Sequence, residues 1–359
     1  MITAIIPMIN FVVFTSSILW SPIKMKKGEY TSLGKKWVKG MNIPKKYRKE
    51  HYRMWYELLC RSPRIPAKEA SLSLGIEQKT ASARLKEALN QHNIVGPEVR
   101  KMSLANFPEY VYFVNCRNPD SLYRKYRKDE NVIFHALMYG FANLWVISKE
   151  KMDIEGDIIV EGLRSDYYVA FAPDHSWDDA VKIISKKIEE FNPEEYTPKG
   201  YIKTHFNKTI EWTEKDEILY RYFKNDMRKP LAPVKREYHI SRNEFREWLE
   251  KLPECCTITT YYYPGKLSEY ESYLFLFETD YEDFIVELFS ELPSSSRFFK
   301  VSDKLFLYAH VPKKYIKDND LDTEPSELTI PSLAAELFAR GIIKRGLRGP
   351  IETYWAKDI

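Results

Sequence analysis

The feature that most constrains the fold of this chain is a helix-turn-helix pattern that occurs twice. In the first copy, an amphipathic helix at residues 45–61 is followed by a short helix at 67–74, a turn at Gly75 and a third helix from Ile76 to about residue 91. A predicted hairpin around residues 94–97 then completes a winged helix-turn-helix.

The second copy begins near residue 212. Residues 238–242 stand 164 positions after residues 74–78 and take the same place between two predicted helices. Ser241 and Glu244 form the S-x-x-E pattern of a capping box at the start of the last helix. The repeated order of elements predicts an internal duplication.

Each copy is followed by alternating strand and helix patterns, with one further hairpin predicted at residues 158–171. The predicted fold class is α+β, with two winged helix-turn-helix units that are each followed by a ferredoxin-like α/β sandwich. The predicted segments are an apolar leader and basic arm at 1–44, a winged helix-turn-helix at 45–101, an α/β domain at 102–200, a second helix-turn-helix at 212–256, a second α/β domain at 257–315, and a linker with a basic C-terminal tail at 316–359.

Positive charge is concentrated at the start of the chain. The whole chain carries a net charge of +4, but its first 101 residues carry +12 and the rest carry −8. This asymmetry is typical of a nucleic-acid-binding protein with a separate sensing or assembly part.

The polar face of the third helix in the first copy combines lysines with small hydrogen-bonding residues, which suits a helix that enters a DNA groove. The equivalent helix in the second copy, which follows Ser241, carries equal numbers of positive and negative side chains. Whether it contacts DNA or has only a structural role is therefore left open. The candidate DNA-binding residues are Gln78, Lys79, Thr80, Ser82, Arg84 and Lys86 on this helix, Lys45 and Lys46 on the first helix, and Arg242, Asn243 and Arg246 in the second copy.

The first 23 residues contain no charged side chain and are followed by lysines at positions 24, 26 and 27. Their length would allow a membrane anchor with the rest of the chain on the cytoplasmic side, although Pro7 and Asn10 disfavour a span. The other interpretations are a misassigned extension or a packed soluble segment. The expected location of the protein is cytoplasmic.

Motifs of catalysis and metal binding are absent from the sequence. The seven histidines are scattered, the four cysteines form no C-x-x-C pair, and neither a P-loop nor a G-x-G-x-x-G or G-x-S-x-G pattern occurs. Asp174-His175-Ser176 is better explained as a helix cap than as a nucleophile. We therefore expect a protein that is not an enzyme and that has no metal site and no cofactor.

Residues 69–95 resemble the helix-turn-helix of the Lrp/AsnC (feast/famine) regulators, and the α/β pattern after them resembles the effector-binding and dimerisation domain of that family. The stretch from His135 to Trp145 lacks the Asp that is usual after the position of Gly140. The resemblance implies a sequence-specific transcription regulator of archaeal type. Its expected partners are double-stranded DNA, a small-molecule effector and a second copy of the chain.

Two alternatives to a soluble regulator stay open. A membrane-tethered DNA-binding protein follows if residues 1–23 are a genuine anchor, and the membrane is then a further partner. Siroheme decarboxylases also resemble Lrp/AsnC proteins and can consist of two fused halves, so a decarboxylase-like enzyme on the same duplicated fold is the other alternative. Its chemistry would depend on His and Arg side chains in the α/β part, for which His135, Arg164 and His310 are the candidates.

Overall fold

The computed structural model describes residues 45–312, 315 and 330–356, so the predicted leader at 1–23 lies outside the described residues. The described chain has a mixed α+β fold. The helices are α1 Lys45–Arg61, α2 Ala67–Leu74, α3 Gln78–Asn90, α4 Pro119–Tyr126, α5 Trp177–Glu189, α6 Glu214–Phe223, α7 Ala232–Tyr238, α8 Arg242–Cys255, α9 Glu282–Phe289 and α10 Ile330–Ala339. The strands are β1 Ile94–Lys101, β2 Tyr110–Asn115, β3 Val132–Met138, β4 Leu144–Ser148, β5 Asp157–Leu163, β6 Tyr168–Val169, β7 Cys256–Tyr262, β8 Tyr270–Glu278, β9 Arg297–Val301, β10 Lys304–Pro312 and β11 Arg345–Ala356. Within these ranges, no helix has both the length and the apolar character needed to cross a membrane.

Two units of three helices have the same turn between their second and third helices. Helix α2 ends at Gly75, whose left-handed backbone (φ 65°) suits a residue without a Cβ atom. In the other unit, α7 ends at His239, which has φ 53° and stands 164 residues later. The equivalent turns agree with the repeat seen in the sequence.

The strands that follow the two helical units pair with each other. β1 and β7 form a two-stranded antiparallel sheet, with an irregularity between Val95 and Glu98. The predicted hairpin at 94–97 is therefore wrong. Gly96-Pro97 is accommodated within one strand as a bulge, because Pro lacks the N–H that a regular ladder needs.

Two arginines in equivalent loops connect the helical units reciprocally. Arg64 donates hydrogen bonds to the carbonyls of Met227 and Lys229, the latter at 3.2 Å. Arg228, 164 residues after Arg64, donates in return to the carbonyl of Ile65 at 2.9 Å. The side chains of each unit therefore satisfy backbone groups of the other.

We expect Arg64→Ala and Arg228→Ala each to lower the free energy of unfolding by about 1.5–3 kcal/mol, because each variant leaves carbonyls without a charged donor. Chemical denaturation would measure this loss. Lys68→Ala, which removes an exposed cation on the neighbouring helix α2, is the matched control. A loss of equal size in the control would contradict a specific role for the two arginines.

The nine-stranded sheet contains two sets of four strands in the same order. The first half contributes β5-β2-β4-β3 and the second half contributes β11-β8-β10-β9, and β3 lies next to β11 in the complete sheet. In each set of four, the two central strands are the first and the third in chain order, namely β2 and β4 in the first set and β8 and β10 in the second. The two α/β parts of the chain therefore share one topology.

Two segments pair with strands of both halves. Residues 345–350 of β11 pair with β8, whereas residues 351–356 pair with β3. On the opposite side of the molecule β5 pairs with β2, Arg164 bridges to Val301, and β6 pairs with β9. The expected hairpin at 158–171 is therefore wrong, and the part of the predicted C-terminal tail at 345–356 is a strand within the sheet.

The sheet curls so that the inner faces of its two halves pack against each other. Phe113 of the first half stacks on Phe306 of the second at 4.6 Å between ring centroids, and Trp145 stacks on Phe299 at 5.9 Å. Helix α4 covers the outer face of the first half, while α5, α9 and α10 cover that of the second. The inner face is thus an apolar interface, and a polar group on it needs a specific explanation.

Candidate functional site

Polar side chains interrupt this apolar interface at one end of the second half, where β7 approaches β9 and β10. They include two arginines and several tyrosines on the inner side of the sheet. We refer to this set as the arginine–tyrosine cluster, which consists of Arg164, Tyr167, Tyr261, Tyr263, Arg297, Tyr308 and His310.

The ring of Tyr167 lies beside both guanidinium groups. The Cζ atom of Arg164 is 3.9 Å from the ring centroid and that of Arg297 is 5.0 Å from it. Arg297 also lies 5.0 Å from the ring of Tyr261 and 5.8 Å from that of Tyr308. Two cations thus share an aromatic environment, in which cation–π contacts offset part of the cost of removing them from water.

The charge of Arg164 is compensated within the protein. Its Nε donates to a carboxylate oxygen of Glu109 at 2.6 Å, and the residue is 2% exposed. Burial has the largest single effect on the pKa of Arg164 and lowers it, but Glu109, Tyr167 and Asp166 together raise it above its usual value, so the guanidinium is charged. This ion pair fixes Arg164 beside Tyr167.

Arg297, in contrast, has no carboxylate partner among the described residues. Its Nε is buried without a hydrogen-bond partner, and a terminal nitrogen donates to the hydroxyl of Tyr261. Glu98 on β1 pairs instead with Arg100 at 2.9 Å. The carboxylate of Glu98 favours the charged form of Arg297 at longer range but forms no ion pair with it. A half-buried guanidinium that is surrounded by tyrosines and has no ion-pair partner in the described part of the chain is a candidate site for an anion.

His310 lies next to Arg297 and is 8% exposed. Its Nδ1 is 3.0 Å from the hydroxyl oxygen of Ser272, and its ring meets the rings of Tyr263 and Tyr308 edge-on at 4.9 and 5.0 Å. Burial, followed by the positive charge of Arg297, lowers the pKa of His310 to about 3. The imidazole is therefore neutral near pH 7 when no anion is bound.

The other histidine of the decarboxylase alternative, His135, is not part of the cluster. It projects from β3 toward α4, where its ring lies 4.3 Å from that of Tyr123, and neither ring nitrogen has a hydrogen-bond partner. Burial lowers the pKa of His135 to about 4. Of the three residues named from the sequence, the structure brings Arg164 and His310 to one site and places His135 on the other side of the sheet.

The buried histidines should make the protein less stable in acid. Each histidine has a lowered pKa in the folded protein and its usual pKa of about 6.5 in the unfolded chain. At any pH between these two pKa values, unfolding is accompanied by uptake of a proton. Stability should therefore fall as the pH drops below about 6.5, with a loss of up to about 1.4 kcal/mol per pH unit from His135 down to pH 4.

Chemical denaturation of the wild type and of His135→Phe between pH 7 and pH 4.5 would measure this contribution. We expect a shallower decline in the variant, because Phe fills a similar space and does not titrate. Parallel pH profiles of the two proteins would contradict a neutral buried His135.

Sequence reasoning missed Arg297, Tyr167, Tyr261 and Tyr308. The available signal was Arg297 itself, a charged residue in the short strand β9 that lies two positions before the inward-facing Phe299 and so on the same face. Its partner across the strands is Tyr308. Tyr167 and Arg297 stand 130 positions apart in the sequence, so no local motif could show the cluster.

The predicted DNA-binding residues are distributed over α1, α3 and α8. Their contact with DNA is a prediction that this geometry does not test. Arg84 is half-buried and donates to Glu87 at 2.6 Å, whereas Arg246 pairs with Glu250 at 3.9 Å. Gln78, Lys79, Ser82 and Lys86 are exposed on α3 with Thr80 half-buried, Lys45 and Lys46 begin α1, and Arg242 and Asn243 line an open groove of about 480 Å³ at the start of α8.

No protein-family model matches the chain, and no curated protein matches its sequence. Two solved structures are similar to it. A crystal structure of the siroheme decarboxylase NirDL is 11% identical, with coverage of 86% of this chain and 92% of that chain and a TM-score of 0.46. The co-complex of NirDL with an iron-uroporphyrin III analogue is 11% identical, with coverage of 82% and 87% and a TM-score of 0.42.

These comparisons contradict the prediction of a sequence-specific DNA-binding transcription regulator, because both similar structures are siroheme decarboxylases. They also point against the expectation that the chain is not an enzyme. A likeness at 11% identity assigns no role to any residue here, so the function has to be argued from the arginine–tyrosine cluster.

Proposed function

We propose that the arginine–tyrosine cluster binds a carboxylate group of an anionic substrate, and that the protein is a decarboxylase-like enzyme for an iron tetrapyrrole. The single observation that carries this proposal is Arg297, a half-buried cation with an unpartnered Nε and no carboxylate partner in the described part of the chain. A planar guanidinium is the side chain best suited to hold a carboxylate through two hydrogen bonds.

The surroundings of Arg297 supply hydrogen-bond donors for such a group. The rings of Tyr261 and Tyr308 contact the guanidinium, so their hydroxyls lie nearby. Burial raises the pKa of Tyr308 above its usual value. The hydroxyl of Tyr308 therefore keeps its proton and can donate. Arg164 is already neutralised by Glu109 and would hold Tyr167 in place rather than bind the anion itself.

Decarboxylation consumes one proton. The bond between carbon and the carboxylate breaks, carbon dioxide leaves, and the electron pair left on carbon takes up a proton. A carboxylate bound at Arg297 would favour the charged form of the neighbouring His310 and raise its pKa. Substrate binding would thus bring a proton to His310, which can then deliver it to the carbon.

We infer further that the two three-helix units are winged helix-turn-helix copies that serve as scaffold. Their paired strands β1 and β7 bring Tyr261 and Tyr263 over the inner face of the sheet. The reciprocal contacts of Arg64 and Arg228 hold these units against each other. This role accounts for a duplicated helical part in a protein whose candidate site lies in the α/β part.

Titration of the purified full chain with an iron–uroporphyrin tests the proposal. We expect saturable binding with a shift of the Soret absorption band, and at least ten-fold weaker binding by Arg297→Met. Tyr308→Phe and His310→Gln should retain more binding but lose conversion of siroheme, followed by mass spectrometry as loss of carbon dioxide.

The control variant is Arg340→Met, since Arg340 directly follows α10, which covers the outer face of the sheet, and pairs with Glu336 at 3.4 Å. It should bind as the wild type does. Folded protein that leaves the Soret band unchanged, or equal binding by Arg297→Met and the wild type, would contradict the proposal.

A further inference from the structure

A cavity of about 320 Å³ lies on another side of Tyr167, next to the segment that connects the two halves. Its wall includes Tyr167, Tyr201 and Met102, together with a set of titratable side chains. We refer to it as the dyad cavity, and its titratable lining residues besides the tyrosines are Asp166, Lys203, His205, Lys208 and Glu254.

Asp166 and His205 form an acid–histidine pair in this wall. Nδ1 of His205 lies 2.7 Å from Oδ2 of Asp166. The other oxygen, Oδ1, accepts from the backbone N–H and the hydroxyl of Ser103 at 2.7 and 2.8 Å. Because an ionised carboxylate can only accept, the proton of the His205 ring sits on Nδ1.

Three segments distant in sequence hold this pair in place. Ser103 follows β1, Asp166 lies between β5 and β6, and His205 lies in the connection between the halves. The backbone N–H of His205 donates to the hydroxyl of Ser103 at 3.0 Å, and the N–H of Asp166 donates to the carbonyl of Lys203 at 2.8 Å. The imidazole is therefore fixed in orientation, as is required of a group that binds or exchanges protons with a ligand.

The other nitrogen of His205, Nε2, has no hydrogen-bond partner among the residues that the structure describes. Two exposed lysines share the cavity with it. Lys203 forms no ion pair within the described ranges, and Lys208 donates only to the backbone carbonyl of Glu254 at 3.3 Å. Asp166 is 7% exposed and its oxygens are already occupied. The charged groups that remain in the lining are the ammonium groups of Lys203 and Lys208 and the exposed carboxylate of Glu254, so the balance is positive.

We propose that the dyad cavity binds a small molecule that carries an oxyanion, either a carboxylate or a phosphate. The ammonium groups of Lys203 and Lys208 contact the anion, and the fixed imidazole of His205 lies beside it in the cavity wall. The cavity has room for on the order of ten non-hydrogen atoms. This site shares Tyr167 with the arginine–tyrosine cluster but does not depend on the function proposed there.

Histidine NMR of the full chain, with ¹³C-labelled ring carbons, tests the proposal. The signal of His205 is assigned by its loss in His205→Gln, and the protein is titrated separately with succinate and with inorganic phosphate. We expect a saturable shift of this signal with at least one of the two. Tighter binding of succinate would identify a carboxylate ligand, and tighter binding of phosphate would identify a phosphate ligand.

Lys203→Gln/Lys208→Gln should weaken binding at least ten-fold while the protein stays folded, because both side chains are exposed. Lys182→Gln, at an exposed position on α5, is the matched control and should leave the affinity unchanged. Arg297→Met should also leave it unchanged, which separates this site from the cluster. A His205 signal that neither anion moves at tens of millimolar, or binding that survives the double lysine substitution, would overturn the proposal.

Discussion

Removal of residues 345–359 should abolish cooperative folding of the whole described chain. Six residues of β11 pair with β8 and five pair with β3, so the truncated chain would leave one edge of each half unpaired. Leu347 and Ile351, which pack against the inner core, would be lost as well. Exposed edges and apolar surface together favour aggregation.

Size-exclusion chromatography and thermal unfolding of the truncated protein would show this outcome. Deletion of residues 357–359 alone is the control and should unfold as the wild type does. Gly349→Ala gives a graded test, because a Cβ atom at Gly349 would lie 2.3 Å from the carbonyl oxygen of Tyr139. We expect it to cost about 1–3 kcal/mol. A monomeric truncated protein with an unchanged melting temperature would contradict a central role for β11.

Arg164→Met should lower the free energy of unfolding by about 3–5 kcal/mol, because it breaks a buried ion pair by removing one partner. The carboxylate of Glu109 would then remain in a largely buried position without its cation. The contact with the ring of Tyr167 would be lost at the same time. Urea denaturation at neutral pH would measure the change.

The double variant Arg164→Met/Glu109→Gln separates the loss of charge pairing from the loss of packing. It should recover a large part of the lost stability, since Gln carries no charge that needs a partner. If the double variant were less stable than Arg164→Met alone, the ion pair would not be the cause of the effect.

The elements of the two halves could be predicted from sequence because each depends on local information. Gly75 marks the turn before α3, and the capping box of Ser241 and Glu244 marks the start of α8, where the structure has both reciprocal hydrogen bonds. Polar and apolar alternation likewise predicted β2, β8 and β10 close to their observed bounds. These signals depend on hydrogen bonds within a few residues, so the rest of the fold hardly affects them.

The pairing of β1 with β7 and the double pairing of β11 could not be predicted in this way. A sequence does not show which distant strand a segment will pair with, because that choice depends on the packing of both sheets. The expected hairpin at 94–97 and the expected basic tail failed for this reason. Both predictions treated a segment as if it interacted only with its sequence neighbours. The strand partner of β1 is β7 in the other half, and β11 pairs with strands of both halves.

The prediction of function likewise depended on local features of the sequence, whereas the candidate site depends on tertiary contacts. The charge asymmetry and the helix-turn-helix pattern are properties of the sequence, and they led to a DNA-binding regulator because exposed cations on a helix resemble a nucleic-acid surface. The arginine–tyrosine cluster exists only where Arg164 and Tyr167, Tyr261, Arg297 and Tyr308 converge. The sequence by itself thus determined the helices, most of the strands and the repeated order of elements, through local hydrogen bonding and periodicity. The tertiary structure alone decided the strand partners and left the half-buried guanidinium of Arg297 without an ion-pair partner among the described residues, because both depend on contacts between distant parts of the chain.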